Sequence, residues 1–221
     1  MSVKKYYFPY QNFVQPKVYQ YSDQKDTNVT MYWHFKTTVK GIDTVLTTYI
    51  YNSKMQLTNI YESNLSANGC ILKRMLVSRG DTSAVLEYTV KENEVFLWKI
   101  KSDQKLFLSF SVSNQDGSES EGCTTERSFG TKKEIKKFNG NEYECMVVKD
   151  VIMLNHIRNN INANEEQQRT SFFAKGIGLL EFETFNSNGT STYFTLKKIM
   201  TEEEWRKVIL STTDSISTPT E

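Results

Sequence analysis

The sequence predicts a mainly β protein: a curved antiparallel sheet or half-open β-barrel with one short C-terminal helix. Three observations carry this reading. The composition favours residue types that suit a pleated, half-buried surface, with 12 Tyr, 13 Phe and many Thr and Val among 221 residues. Apolar residues recur with a period of two almost wherever a period is legible. Asn-Gly pairs at Asn139-Gly140 and Asn188-Gly189 separate such runs, and both residue types tolerate the positive φ of a type I′ hairpin turn.

The elements follow in order. Met31, Trp33 and Phe35 alternate with Tyr32, His34 and Lys36, as on a strand with one buried face. A hairpin turn at 40–43 leads to a strand over 45–51, and 56–62 reads as the next. Residues 72–77 lead through Arg79-Gly80-Asp81 to a run over 85–90, and Lys91-Glu92-Asn93-Glu94 reads as a polar connection. Phe96, Trp98 and Ile100 then share one face. Leu106, Leu108, Phe110 and Val112 form the cleanest alternation, with Ser109 and Ser111 turned away. A polar loop is expected over 113–126, holding Asp116-Gly117. Strands at 135–138 and 143–151 flank Asn139-Gly140, and strands at 179–185 and 192–199 flank Asn188-Gly189. The Asn-rich stretch 155–169 reads as a long loop or an extended hairpin tip.

The helix is legible from its start signals. Thr201 as N-cap and Glu204 three residues on make a capping box, and Met200 with Trp205 make a hydrophobic staple. Glu202, Glu203 and Glu204 complement the positive helix N-terminus. Trp205, Val208 and Ile209 give it an apolar stripe that would cover part of the β-structure. The predicted organisation is one domain over 1–210, including the helix at 202–210, with a flexible tail over 211–221.

Charge and cysteine content narrow the function. The 27 basic and 26 acidic residues nearly cancel, which gives no global attraction to nucleic acid. Cys70, Cys123 and Cys145 form no Cys-x-x-Cys pair, so at most one bridge could form within the chain. No apolar run reaches the length of a transmembrane segment. No secretory apolar core is present near Met1, so the sequence as written predicts a cytoplasmic protein. A chain trimmed of its leader would instead be periplasmic or on the cell surface.

Catalytic and metal signatures are missing, so no enzyme, metal or cofactor is expected. His34 and His156 lie far apart and outside any metal-ligand spacing, and read as surface histidines. Lys175-Gly176-Ile177-Gly178 lacks the third glycine of a dinucleotide fingerprint and precedes a strand, so it reads as a bend. Arg79-Gly80-Asp81 reads as a tight turn rather than an adhesion motif. The lysines at 132, 133, 136 and 137 read as the solvated face of a strand.

The aromatics carry the functional expectation. Trp33, Phe35, Tyr49, Tyr51, Phe96, Trp98 and Phe110 fall at alternating positions on several strands. A closed or half-closed sheet would turn one set inward, where a lipid-like small molecule could be held. The alternative is a structural or interaction module in which the same rings pack as core.

Two segments also carry a resemblance. Phe138-Asn139-Gly140-Asn141-Glu142-Tyr143-Glu144-Cys145-Met146-Val147-Val148 and Ser171-Phe172-Phe173-Ala174-Lys175-Gly176-Ile177-Gly178-Leu179-Leu180, with the early Tyr6-Tyr7-Phe8-Pro9, are similar to uncharacterised bacterial surface or lipoprotein families. In these a Tyr-Tyr-Ala-Lys-Gly-Val-Gly strand precedes the last hairpin. The resemblance implies an exported, curved antiparallel half-barrel of the lipoprotein-carrier type. It supplies no catalytic residues.

Overall fold

In the computed structural model the expected half-open sheet closes completely. The structure describes residues 1–78, 85–101, 103–114, 118–158 and 161–216, with the backbone alone for Lys40 and 212–216. Among these, twelve antiparallel strands pair in sequence order, and the first meets the last to seal a barrel. They are β1 (Lys17–Asp23), β2 (Thr30–Lys40), β3 (Asp43–Tyr51), β4 (Leu57–Leu65), β5 (Gly69–Ser78), β6 (Val85–Leu97), β7 (Leu106–Ser113), β8 (Glu119–Phe138), β9 (Asn141–Arg158), β10 (Ile161–Ala174), β11 (Gly178–Asn186) and β12 (Ser191–Thr201). One helix, α1 (Glu202–Ile216), follows.

Closure rests on β1, a strand that alternation does not reveal. Tyr19 and Tyr21 bury themselves inside the barrel while Val18 is buried outside beneath α1, so both faces are apolar. Lys17 to Ser22 pair with Phe35 to Thr30 on one side, and Lys17 to Asp23 with Thr201 to Phe194 on the other. A bulge at Gln20/Tyr21 adjusts the register.

Other expectations are corrected for related reasons. Lys91-Glu92-Asn93-Glu94 is no connection but the bulged middle of the continuous strand β6. The polar loop expected from residue 113 ends early, because β8 already begins at Glu119. Residues 155–158 and 161–169 follow the extended-hairpin alternative rather than the loop, forming the ends of β9 and β10 paired without interruption from Arg158/Ile161 to Cys145/Ala174. Much of this hairpin end is exposed on both faces, so no alternation marks it. The helix runs to Ile216 rather than stopping at 210. Arg79-Gly80-Asp81 and Asp116-Gly117 lie outside the described residues.

The two Asn-Gly hairpins differ. Asn139 and Gly140 have φ of 48° and 77° between the paired residues Phe138 and Asn141, as a type I′ turn requires. At the other, only Gly189 has positive φ, and its N–H donates to Asn186 O. That is a three-residue loop closing on a bulge glycine.

The bottom of the barrel is filled by the N-terminal segment. Short 3₁₀ turns at Lys4–Tyr6 and Tyr10–Val14 carry Val3, Tyr6, Tyr7, Phe8 and Phe13 into the core. The Phe8 ring packs against Tyr7, Tyr19, Trp33, Phe35 and Phe173. Val3 N–H donates to Trp98 O, and Gly176 N–H donates to Lys5 O, each at 2.9 Å. Thr37 donates to Tyr10 O at 2.7 Å. Tyr19 and Tyr21 donate to the carbonyls of Ile177 and Leu179. The glycines of Lys175-Gly176-Ile177-Gly178 therefore make the β10–β11 bend, and a Cβ on Gly178 would meet the Phe8 ring at 2.4 Å.

Outside, α1 covers the seam where the chain's two ends pair. Val18, Tyr32, Met200 and Trp205 form its buried contact, with Tyr51, Val208 and Ile209 around them. The capping box forms as expected: Thr201 N–H donates to Glu204 Oε2 at 2.8 Å, and Glu204 N–H donates to Thr201 Oγ1 at 3.3 Å. The Thr201 backbone N–H first, and then the Lys198 ammonium, hold the Glu204 carboxyl down to about 2. His34, expected at the surface, is only 14% exposed, with Nε2 2.9 Å from Glu202 Oε2. Both atoms are shielded from solvent. In the basic cluster Lys132 and Lys137 are exposed as expected, whereas Lys136 lies over the Phe172 ring and pairs with Glu181 at 2.9 Å.

Two expectations follow. Gly176→Ala, with φ of 78° and open space around it, should cost about 1–2 kcal/mol for a left-handed backbone alone. Gly178→Ala, with φ of 100° and Phe8 in the way, should cost clearly more, as urea denaturation of both variants will read. Burial holds His34 below its ordinary value of 6.5, with Lys36 adding to the shift and Glu202 opposing it. The unfolded chain therefore binds the proton more readily, so stability should be full above pH 6.5 and fall on acidification below it. Melting temperatures across that range should show the slope, and His34→Gln should flatten it.

Candidate functional site

Above the N-terminal plug the barrel is not filled. A cavity of about 590 Å³ remains, with Tyr7 and Phe8 among its lining residues on the plug side. At the opposite end its lining includes Val29 and Ser53, from the β1–β2 and β3–β4 connections, which are also exposed. The cavity therefore communicates with solvent there. Its wall is largely aliphatic and aromatic, with Trp33, Phe35, Leu72, Leu108, Phe110 and Ile152 contributed by four strands, β2, β5, β7 and β9.

The sequence-predicted aromatics separate into three groups. Trp33, Phe35 and Phe110 line the cavity, as does Tyr51 at its rim, where the ring also packs on Trp205 of α1. Phe96 and Trp98 lie in the plugged core, in ring contact with Tyr7. The Trp98 indole N–H donates to Ser66 O at 2.8 Å. Tyr49 is absent from the lining and its ring lies beside that of His34, 5.7 Å away. The reason is parity: Thr48 and Ile50 take the inward positions of β3.

The polar part of the site is one that alternation could not find. Arg127 on β8, Asp150 on β9, Arg169 on β10 and Thr184 on β11 are direct cross-strand partners in one row. Arg127 grips Asp150 with two hydrogen bonds of 2.8 Å and donates a third, of 2.7 Å, to Val95 O. Asp150 is 2% exposed, so the pair is a buried one. Burial by itself would lower the Arg127 pKa, but the Asp150 carboxylate more than offsets this and raises it. Among the described residues Arg169 has no such partner. Its Nε donates to Thr184 Oγ1 at 3.1 Å and its guanidinium lies over the Phe182 ring, 5.5 Å from the centroid. Burial holds its pKa below the ordinary value, and Asp150 only partly opposes this. Tyr61, also on the wall, is pushed up to about 12 by burial.

The remaining candidate groups are dispersed. Cys123 lines the cavity, whereas Cys70 and Cys145 are buried in the core and all three are free thiols. Burial pushes both core thiols up to about 11. His34 lies outside the barrel under α1, and His156 is exposed near the β9–β10 tip. Neither lines the cavity.

No protein-family model matches the chain, and no curated protein matches it. Solved structures do. A candidate lipoprotein from Parabacteroides distasonis ATCC 8503 superposes with a TM-score of 0.53 at 10% identity, over 84% of this chain and 95% of that one. The fold is shared. A candidate exported protein with a YmcC-like fold from Bacteroides fragilis NCTC 9343 gives 0.49 at 12% identity, over 84% and 94%. The hypothetical lipoprotein YmcC of Escherichia coli gives 0.35 at 10% identity, over 86% of each chain. The lipoprotein-like resemblance of the C-terminal motifs is thus matched by the fold, as a closed barrel rather than a half-barrel.

The buried ion pair sets a stability expectation. Asp150→Ala leaves Arg127 buried without its carboxylate and should cost about 3–5 kcal/mol by urea denaturation. Removing both charges in Arg127→Met/Asp150→Leu should recover most of that loss.

Proposed function

We propose that this protein is a non-catalytic carrier or binder of an apolar or amphipathic, lipid-like molecule held inside the barrel. The observation that carries the reading is the solvent-connected cavity of about 590 Å³ walled by apolar side chains. That volume falls within the roughly 300–1,000 Å³ of small-molecule sites. Dense packing in the lower half makes the empty upper half a specific feature, since protein interiors are otherwise close-packed. An exported location accords with the fold shared with a candidate lipoprotein.

The interaction-module alternative has less support on the outer surface. Val151 and Met153 of β9 are exposed, but Glu126 and Gln168 flank the first across the strands, and Thr124 and Glu166 the second. Polar neighbours break up what would otherwise be a continuous apolar patch.

Native mass spectrometry of gently purified protein, before and after organic extraction, tests the carrier reading. An extractable bound mass is expected, and the extracted protein should take up the apolar fluorophore diphenylhexatriene. Ser171→Phe, which adds a ring to the cavity wall, should reduce that uptake by tenfold or more. An extracted wild-type protein that takes up no apolar probe would overturn the reading.

A further inference from the structure

We infer that the molecule held in the cavity is a single-chain amphiphile with one negatively charged headgroup, and that Arg169 is the residue that binds the charge. The inference rests on the carrier reading and adds the chemistry of the ligand's polar end. The row Arg127, Asp150, Arg169 places two guanidinium groups and one carboxylate side by side on the cavity wall. Both Asp150 oxygens are taken by Arg127, at 2.8 Å each. One positive charge is left over, and it belongs to Arg169.

Arg169 is also held ready. Its Nε–H is fixed by Thr184 and its plane is supported by Phe182. An arginine carries five N–H donors, and among the described residues only the Nε one has a protein acceptor. The four Nη donors form the fork that fits a carboxylate or a phosphate ester oxygen pair. An unpaired cation in a low-dielectric wall is costly, so a site that retains one gains most from a ligand that supplies the counter-charge. Leu108, Phe110, Ile152 and Trp33 in the lining suit a hydrocarbon chain. The other polar lining residues, such as Thr48, Asn59 and Gln167, are uncharged, and among the described residues the lining holds no second cation without a partner. A net deficit of one negative charge selects a monoanion, such as a long-chain carboxylate.

Calorimetry on extracted, full-length protein compares hexadecanoate, hexadecan-1-ol and acetate. Hexadecanoate should bind at least tenfold more tightly than the alcohol, and acetate should bind far more weakly than either. Arg169→Met should abolish the preference for the acid while leaving alcohol binding intact, and Arg169→Lys should keep part of it. Equal affinities for acid and alcohol in the wild-type protein would overturn the inference while leaving the carrier reading standing. Failure of both amphiphiles to bind would overturn the carrier reading itself. Tight binding of acetate would also overturn the inference, by showing a small-anion site. The melting temperature of unliganded Arg169→Met should match or exceed that of wild type. A clear drop would assign Arg169 a structural role in the fold instead.

Discussion

A closed barrel of twelve strands encloses more space than its own wall can fill, and the rest of the molecule answers to that constraint. With about eight strands, inward side chains meet across the axis, whereas wider barrels leave a lumen. Here the lower half is occupied by residues folded in from the N-terminal segment, with Phe8 in contact with five aromatic rings. The plug is anchored by backbone hydrogen bonds to Trp98 and Gly176, so its polar groups are satisfied where they are buried. The upper half is left open, and Tyr7 and Phe8 serve both as core and as part of the cavity lining.

The same constraint explains where order is concentrated. A barrel sealed by pairing its first and last strands depends on that seam, since a parted seam would expose two strand edges. Helix α1 lies over it, burying Trp205 against Tyr32 and Tyr51 while Val18 and Met200 complete the contact. The capping box at Thr201 and the close approach of Glu202 to His34 fix the helix start directly after β12. Inside, the Arg127–Asp150 pair links β8 to β9, and Arg127 reaches Val95 on β6 as well. Polar groups inside the barrel therefore tie the wall together on one side and leave Arg169 facing the cavity.

Much of this was legible in the residues, for physical reasons that can be named. A strand with strict alternation, such as β7, shows its period directly, and β2 shows it at Met31, Trp33 and Phe35 even though α1 shelters Tyr32 and His34 on its outer face. The capping box, staple and Asn139-Gly140 turn are local devices whose geometry follows from the side chains that make them. The strands that escaped detection are those without contrast between faces. In β1 both faces are apolar because α1 covers the outer one. In the outer ends of β9 and β10 both faces are solvated.

The residues by themselves determined the class of fold, the helix with its cap, the turn at Asn139-Gly140 and the inward set containing Trp33, Phe35 and Phe110. Only the tertiary structure decided closure, the plug, the cavity and the charged row. Register shows why. Phe138 pairs with Asn141 across the turn, a register that carried onward would set Arg127 opposite Ile152 and Asp150 opposite Phe129. The irregularity between Phe129 and Lys133 shifts the pairing by two residues, which brings Arg127 to Asp150. Gly130 lies there, with a would-be Cβ 3.2 Å from Val147 O. A local turn sets the start of a ladder, but the bulge and the curvature it serves depend on the whole wall closing on itself.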